Sequence, residues 1–379
     1  FVYFVTGALP DQLRIVRVPP TCGVPEQLTQ IPGRITYPLL LDSQQLLFLA
    51  ADPDGSGPWL FGMDLARRVP HRLSAAPDRF TSLAASSDPR RLVATLARTT
   101  TTLWSMPLSP PSLAVANPVR IPLTSATARW PRAGPDYVLY VSSVGKNGSI
   151  WRVSNGASRQ VWTLADAQIL GAPAISPGGS RVAFAVRRNA RSSLYVMSPD
   201  GSRQRLVSDL LPWQGSPAWA PGGQSLTVAA LVAGVPRLFR VPLQGGPPVP
   251  LTRQFALDPA WAPGGGFLLY SGADIGTAFS LHALGNQNHE LPLRPLALPR
   301  GARHVVFLPG SSQLVALRGA IHHKDLWRID LLTGAALRLT RFPPDFDVED
   351  FDITPDGRRL VLAREEDRSD VVLLNLAPH

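Results

Sequence analysis

The sequence predicts an all-β fold: a β-propeller of four-stranded antiparallel blades, about eight of them, within bounds of seven to nine. Three observations predict it. A short phrase recurs at a spacing of 42 to 46 residues, as Ile175-Ser-Pro-Gly-Gly-Ser-Arg-Val-Ala-Phe184, Trp219-Ala-Pro-Gly-Gly-Gln-Ser-Leu-Thr-Val228, Trp261-Ala-Pro-Gly-Gly-Gly-Phe-Leu-Leu-Tyr270 and Ile353-Thr-Pro-Asp-Gly-Arg-Arg-Leu-Val-Leu362. A fixed period of that length marks a repeat array. Short apolar runs alternate with turn residues, and Pro (39) and Gly (31) fall mostly between the runs. No segment reads as a helix.

Each phrase is the end of a first strand, a Pro-Gly or Pro-Asp-Gly turn and a second strand. Second strands are expected at Phe1–Val5, Leu46–Ala50, Arg91–Ala97, Tyr137–Ser142, Arg181–Val186, Ser225–Ala230, Phe267–Gly272, Gln313–Arg318 and Arg359–Arg364. They are rich in Val, Leu, Phe and Tyr, as buried strands are. Third strands follow at Leu13–Val16, Leu60–Met63, Leu103–Met106, Ile150–Val153, Leu194–Met197, Leu238–Val241, Phe279–His282, Leu326–Ile329 and Val371–Leu374. Short fourth strands end in Leu-Thr or a near equivalent, at Leu28-Thr29, Leu73-Ser74, Val207-Ser208, Leu251-Thr252 and Leu339-Thr340. Trp104, Trp151, Trp219, Trp261 and Trp327 recur at equivalent positions, which is what packing between neighbouring blades requires. Leucine-rich, ankyrin and TPR arrays have shorter periods and need helices.

The chain opens on a second strand and closes on a third, giving 34 strands, where eight blades take 32 and nine need 36. A single propeller over residues 1–379 is expected, cut at its N-terminal end from a longer chain. Alternatively, a strand near Pro25–Leu28 completes the blade begun by Asp352–Leu376.

The formal charge of +10 is nearly all arginine, with Lys146 and Lys324 the only lysines. The arginines are scattered, which suits a solvated surface and not a nucleic-acid footprint. The one cysteine, Cys22, excludes an internal disulfide. No apolar run reaches the roughly 18 to 20 residues that cross a bilayer as a helix, so membrane attachment is expected only through a segment outside the chain.

The stretch Ser176-Pro-Gly-Gly-Ser-Arg-Val-Ala-Phe184, with Leu194-Tyr-Val-Met-Ser-Pro-Asp-Gly201 after it, resembles the WD40-like (PD40) repeat of the TolB propeller, as do Thr354-Pro-Asp-Gly357 and the Leu-Thr endings. It departs from that pattern where the turn Asp becomes Gly178, Gly222 and Gly264. Phe1-Val-Tyr-Phe-Val-Thr-Gly-Ala-Leu-Pro-Asp-Gln12, Ser56-Gly-Pro-Trp-Leu60 and Asp350-Phe-Asp-Ile-Thr-Pro-Asp-Gly357 resemble more narrowly the C-terminal propeller of bacterial membrane-anchored regulators, which carry a winged-helix or serine/threonine kinase domain upstream. That resemblance implies a non-catalytic sensor or interaction module on the extracytoplasmic side. The alternatives are the accessory propeller of a prolyl-oligopeptidase-like hydrolase, or a periplasmic TolB-like interaction protein.

Catalytic motifs are missing from the sequence: there is no Gly-x-Ser-x-Gly elbow, Walker loop or kinase loop. No catalytic residue, metal or cofactor is expected. His322 and His323 are adjacent and point to opposite faces of a strand, which disfavours one shared ion. The acidic stretch Asp345, Asp347, Glu349, Asp350 and Asp352 lacks calcium-loop spacing and reads as a solvated loop. Asn147-Gly148 reads as a hairpin turn. In a propeller, the second-to-third hairpins and the fourth-to-first connections share one face. That face is expected to collect Arg187, Arg188, Arg191, Trp213, His322, His323, Lys324, Asp345 and Asp347. Mixed charge with an exposed Trp suits a protein or peptide partner.

Overall fold

The computed structural model describes residues 1–7, 13–21, 23–30, 35–51, 57–74, 79–86, 91–109, 114–115, 118–125, 127–144, 147–275, 278–285, 288–294, 296–299, 304–320 and 323–375. Among them there is no α-helix, and so no helix long and apolar enough to cross a membrane. The strands, all paired antiparallel where their register is defined, fall into two compact units: Phe1–Thr99 with Asp367–His379 (unit 1), and Thr100–Glu366 (unit 2).

In unit 1, β1 (Val2–Thr6), β2 (Arg14–Val18) and β3 (Glu26–Gln30) form one sheet. A second holds β4 (Ile35–Leu40), β5 (Gln45–Ala50), β6 (Trp59–Asp64) and β7 (Pro70–Arg72). Next, β8 (Arg79–Ala85) pairs with the first half of β9 (Arg91–Ser109). Ile15, Leu46, Phe48 and Met63 fill one core, and Leu47, Phe80, Leu92 and Ala94 another.

In unit 2, β10 (Ala114–Val115) and β11 (Val119–Arg120) pair with the second half of β9. A four-stranded sheet follows: β12 (Arg129–Ala133), β13 (Val138–Val144), β14 (Asn147–Ser154) and β15 (Ala157–Thr163). In the next, β16 (Ala167–Ile169) and β17 (Ala174–Ile175) both pair with β18 (Val182–Arg188), followed by β19 (Arg191–Met197) and β20 (Arg205–Ser208). Then come β21 (Trp213–Trp219), β22 (Ser225–Val232), β23 (Val235–Pro242) and β24 (Val249–Pro250). The following sheet holds β25 (Leu257–Trp261), β26 (Phe267–Ile275), β27 (Ala278–Gly285) and β28 (Glu290–Leu291), with β29 (Ala297–Pro299) also on β27. The chain continues through β30 (Val305–Phe307), β31 (Gln313–Ala320), β32 (His323–Asp330) and β33 (Ala336–Arg338), and ends on β34 (Asp347–Ile353) and β35 (Arg359–Asn375). β35 lies between β34 and β9 in the hydrogen-bonded order, and Leu108 N donates to Arg358 O at 2.8 Å.

Two joints differ from the sequence expectation. Separate second and third strands are expected on either side of Ala97 and of Arg364, yet β9 and β35 are each one strand, of 19 and 17 residues. In β9 the cause is local: Arg98-Thr-Thr-Thr-Thr102 contains no turn residue, and a run of β-branched Thr prefers the extended backbone. Glu365-Glu-Asp-Arg-Ser369 lacks Gly, Pro and Asn but carries Asp and Ser, and nothing local explains its extension. By contrast, the β18–β19 hairpin turns on Asn189 (φ 49) and Ala190 (φ 64), and β22–β23 on Ala233 (φ 50) and Gly234 (φ 78). Two consecutive left-handed residues make the tight turn that matches strand twist. Asn147 and Gly148 are not a turn: they pair with Val144 and Ser143 at the start of β14.

The recurring phrase closes the first-to-second hairpins. Ser176 N donates to Arg181 O and Gly179 N to Ser176 O, both at 2.8 Å, and Ala220, Ala262 and Thr354 begin matching turns. Gly179, Gly223, Gly265 and Gly357 hold φ of 70, 64, 71 and 71, a region that a side chain enters only at a cost. The Leu-Thr endings are also explained. Thr252 Oγ1 accepts from Leu238 N, and Thr340 Oγ1 from Leu326 N, both at 2.9 Å, where each short fourth strand leaves the third.

Apolar clusters fill the spaces between successive sheets of unit 2. Leu139, Trp162 and Phe184 join the β12–β15 sheet to the β16–β20 sheet, which Val196, Trp213 and Val228 join to β21–β24. Ala229, Leu238 and Tyr270 continue to β25–β28, and Phe279, Val305 and Leu314 to β30–β33. Leu317, Phe351 and Met106 reach the β34–β35–β9 sheet, which Leu103, Ala363 and Tyr140 join to β12–β15. Trp219 Nε1 donates to Ala174 O (2.9 Å) and Trp261 Nε1 to Thr227 Oγ1 (3.1 Å), so both indoles bond to the preceding sheet.

Candidate functional site

Four first strands of unit 2 share a defect. Register shifts lie between Arg129 and Arg132 in β12, Gln214 and Ala218 in β21, Leu257 and Ala260 in β25, and Val348 and Asp350 in β34. Bulges bend a strand and re-aim side chains, and they gather beside sites. Within three of them Trp130 (φ 53), Gly215 (φ 65) and Asp258 (φ 51) are left-handed, and Pro131, Pro217 and Pro259 sit at or just past the irregularity, where a missing N–H is tolerated. A left-handed Trp or Asp directly before Pro is an unfavourable backbone state that only its surroundings can hold. Between these strands is a cavity of ≈ 220 Å³, lined by Trp130, Arg132, Ser216, Asp258, His304 and Glu349 among others.

Arg132 is its hub. Nη1 donates to Asp350 Oδ2 at 2.8 Å and to Pro131 O at 2.6 Å, and both charged residues are buried. Nη2 faces His304 Nδ1 at 3.4 Å. A guanidinium only donates, so Nδ1 accepts and the ring proton sits on Nε2. Burial, reinforced by the charge of Arg132, lowers the His304 pKa to about 4. Asp352 Oδ2 accepts from Ala133 N and Oδ1 from Ile353 N, both at 2.8 Å. Burial nonetheless pushes its pKa up to about 6, against the pull of Arg132. Glu349 pairs through Oε1 with Arg129, and burial moves its pKa upward against that pairing. Two buried atoms here have no hydrogen-bond partner among the described residues: His304 Nε2, a donor, and Glu349 Oε2, an acceptor. The site therefore combines paired opposite charges with one donor and one acceptor that are buried and unpaired.

The residues expected on the recognition face are distributed as follows. Arg187 Nη2 donates to Gln168 Oε1 at 2.6 Å, and Arg188 and Arg191 face each other, exposed, across the β18–β19 hairpin. His322 lies outside the described residues; His323 is exposed at the start of β32. Lys324 Nζ meets Asp347 Oδ2 at 3.1 Å, and Asp345 accepts from Arg364 Nη2 at 3.4 Å. Trp213 requires a correction. It is 0% exposed, because its ring turns into the inter-sheet core against Phe239, with Nε1 donating to Ser208 O at 3.1 Å. The acidic stretch is likewise no solvated loop: from Asp347 onward it is the inner strand β34. Among the described residues, no group of three His, Cys, Asp or Glu is placed to hold a metal ion.

Arg129, Arg132 and His304 escape a motif search. For the two arginines the sequence signal is a Pro inside a first strand, in Trp130-Pro131, a pattern repeated in Ser216-Pro217, Asp258-Pro259 and, in β4, Tyr37-Pro38, whereas His304 has no such signal.

No family model matches the chain. Among solved structures, a protein described as TolB from Agrobacterium tumefaciens is similar with a TM-score of 0.54 at 17% identity, over 71% of this chain and 99% of that one. TolB from Acinetobacter baumannii gives 0.48 at 13%, over 89% of this chain and 81% of that one. A prolyl endopeptidase gives 0.41 at 12%, over 87% and 54%. The first likeness identifies a TolB-like β-propeller fold here, and at that identity it speaks for the fold alone.

Proposed function

We propose that unit 2 is a six-bladed propeller, closed where β34 and β35 join β9 and β11, and that it is a non-catalytic platform binding a protein or peptide partner at its axial cavity. The cyclic order of the inter-sheet clusters supports the ring, with six blades there in place of about eight along the whole chain. The observation that carries the binding reading is the cavity between the first strands, whose wall gathers Trp130, Arg132, Asp258, His304, Glu349 and Asp350. A concave site with a few convergent polar groups is the usual place for a ligand. Arg129 pairs with Glu349 and Arg132 with Asp350, so both carboxylates are engaged in ion pairs within the wall, which favours binding over acid–base chemistry. The rim is the face bearing Arg187, Arg188, Arg191, His323 and Lys324, and the Lys324–Asp347 pair ties it to the strand that carries Glu349. Such a module suits the sensing or interaction part of a larger bacterial protein.

The test is selection of random 12-residue peptides displayed on phage against the immobilised full chain. Enriched peptides should lose at least about tenfold in affinity, ~1.4 kcal/mol, on the Glu349→Leu and His304→Phe variants. Enriched peptides that bind these variants as well as the unaltered chain would remove the cavity from the proposal.

A further inference from the structure

We infer that the free edge of β1, in unit 1, accepts an extended strand from a partner protein, an apolar segment that carries one acidic residue. This site is independent of the cavity of unit 2. The sheet of β1, β2 and β3 is one strand short, and β3 identifies which strand is missing. It carries Leu28-Thr29, the ending that marks fourth strands at Leu251-Thr252 and Leu339-Thr340. β2 and β1 are then the third and second strands, the equivalents of β6 and β5 in the next sheet. In the sheets β4–β7, β12–β15, β21–β24 and β30–β33, the second strand has a first strand on its other edge. Among the described residues, β1 pairs with β2 alone. An edge strand turns a row of N–H and C=O groups outward, and such a row is a template for one more strand.

The space for that strand is present. A groove of ≈ 740 Å³ lies against β1, β4 and β8, with Phe4, Val5, Ile35, Tyr37 and Phe80 in its wall. That is the room of about 25 waters at ~30 Å³ each, more than one side chain fills and enough for a short strand. Phe4 is 39% exposed and Tyr37 47%, so apolar side chains of an incoming strand would cover rings that now face water. The described lining holds one charged residue, Arg79, and no acid. Arg79 Nε donates to Gly57 O at 2.7 Å, and its Nη groups have no partner among the described residues. A carboxylate on the strand would answer them. The chain itself contains a first strand of this chemistry: β25, Leu257-Asp-Pro-Ala-Trp261, sets one acid among apolar residues.

The probe is a fluorescein-labelled peptide with the sequence of Ala256 to Ala262, titrated into the full chain and read by anisotropy. Two further versions are N-methylated, each on one alternate set of amides. Methylation of the set that faces β1 should weaken binding at least about tenfold, and of the other set less than about threefold. Hydrogen exchange at the outward amides of Val2–Thr6 should slow when the unmodified peptide binds. Phe4→Asp and Tyr37→Ala should each weaken binding at least about tenfold. The peptide should bind about threefold more tightly than its Asp258→Asn version, a margin that Arg79→Gln removes. Thermal melts report whether each variant folds, and if none does, the methylated pair and the exchange at β1 decide alone. No binding, equal losses from both methylated sets, or unchanged exchange in β1 overturns the strand addition. Equal binding of the Asp and Asn peptides overturns the acidic requirement. A dimer in light scattering that Phe4→Asp dissociates assigns the edge to a second copy and overturns the partner.

Discussion

Arg132 Nη1 donates to Asp350 Oδ2 at 2.8 Å across 218 residues of chain, and this buried pair links the first strand of one sheet to the first strand of another. Desolvation makes such a pair a poor source of net stability, yet removing one partner strands the other charge. Arg132→Met should therefore cost about 3–5 kcal/mol, while the double variant Arg132→Met with Asp350→Leu should recover most of that loss. Urea denaturation followed by tryptophan fluorescence measures both. A double variant no more stable than the single would show that the stranded charge is not what destabilises it.

The same cluster predicts an unusual pH response. Asp352 has a folded pKa of about 6, above its ordinary 3.8, so between those values the folded chain keeps a proton that the unfolded chain has lost. Its contribution to stability falls as pH rises through that window. His304 is the mirror case. With a folded pKa of about 4 against 6.5, the unfolded chain takes up a proton that the folded chain refuses, and stability rises as pH climbs from about 4 to 6.5. The two displacements are opposite in sign and similar in size, ~3 kcal/mol each, so they nearly cancel. Urea midpoints at pH 4.5 and 6.5 should be close for the unaltered chain, higher at 6.5 in Asp352→Asn, and lower at 6.5 in His304→Phe. Two variants with the same flat profile would exclude the cancellation.

Much of the fold is legible in the sequence because each recurring residue type does one local job. Phrase glycines turn first strands into second, and Leu-Thr endings tie fourth strands to third. The long strand β9 is also written there, as the missing turn residues between Arg98 and Thr102, but counting apolar runs treats it as two strands. Nothing local announces the unbroken β35, whose segment Glu365-Glu-Asp-Arg-Ser369 carries Asp and Ser. Trp213 looks like a loop residue because it follows Leu211-Pro212, and only the neighbouring sheet buries it. The cavity is least legible. Its residues are far apart along the chain, and what brings them together is the placement of bulges in separate sheets, which no local motif encodes.

The phrase makes opposite predictions for its two glycines. A Cβ at Gly179 would lie 2.7 Å from Pro135 in a backbone with φ 70, so Gly179→Ala should destabilise by about 1–3 kcal/mol. At Gly178 nothing lies within 4 Å of that position and φ is not left-handed. Gly178→Asp, the residue of the related Pro-Asp-Gly turn, should be neutral or stabilising by about 0.4–1 kcal/mol through the unfolded chain. Thermal melting of both variants checks the contrast, and equal losses would refute the assignment of roles.

Thr252 separates hydrogen bonding from packing in the Leu-Thr ending. Its Oγ1 accepts from the buried Leu238 N at 2.9 Å, and Thr252 itself is buried. Thr252→Val keeps the shape but leaves that N–H with a methyl group in place of its acceptor, an expected loss of about 1–3 kcal/mol. Thr252→Ser keeps the oxygen and gives up a methyl, an expected loss nearer ~1 kcal/mol. Hydrogen exchange at the Leu238 amide distinguishes the mechanisms: Val should speed it well beyond Ser, because only Val removes the acceptor. If both variants exchanged alike and lost equal stability, the recurrent threonine would be there for its methyl, and the recurring spacing between the third and fourth strands would need another cause.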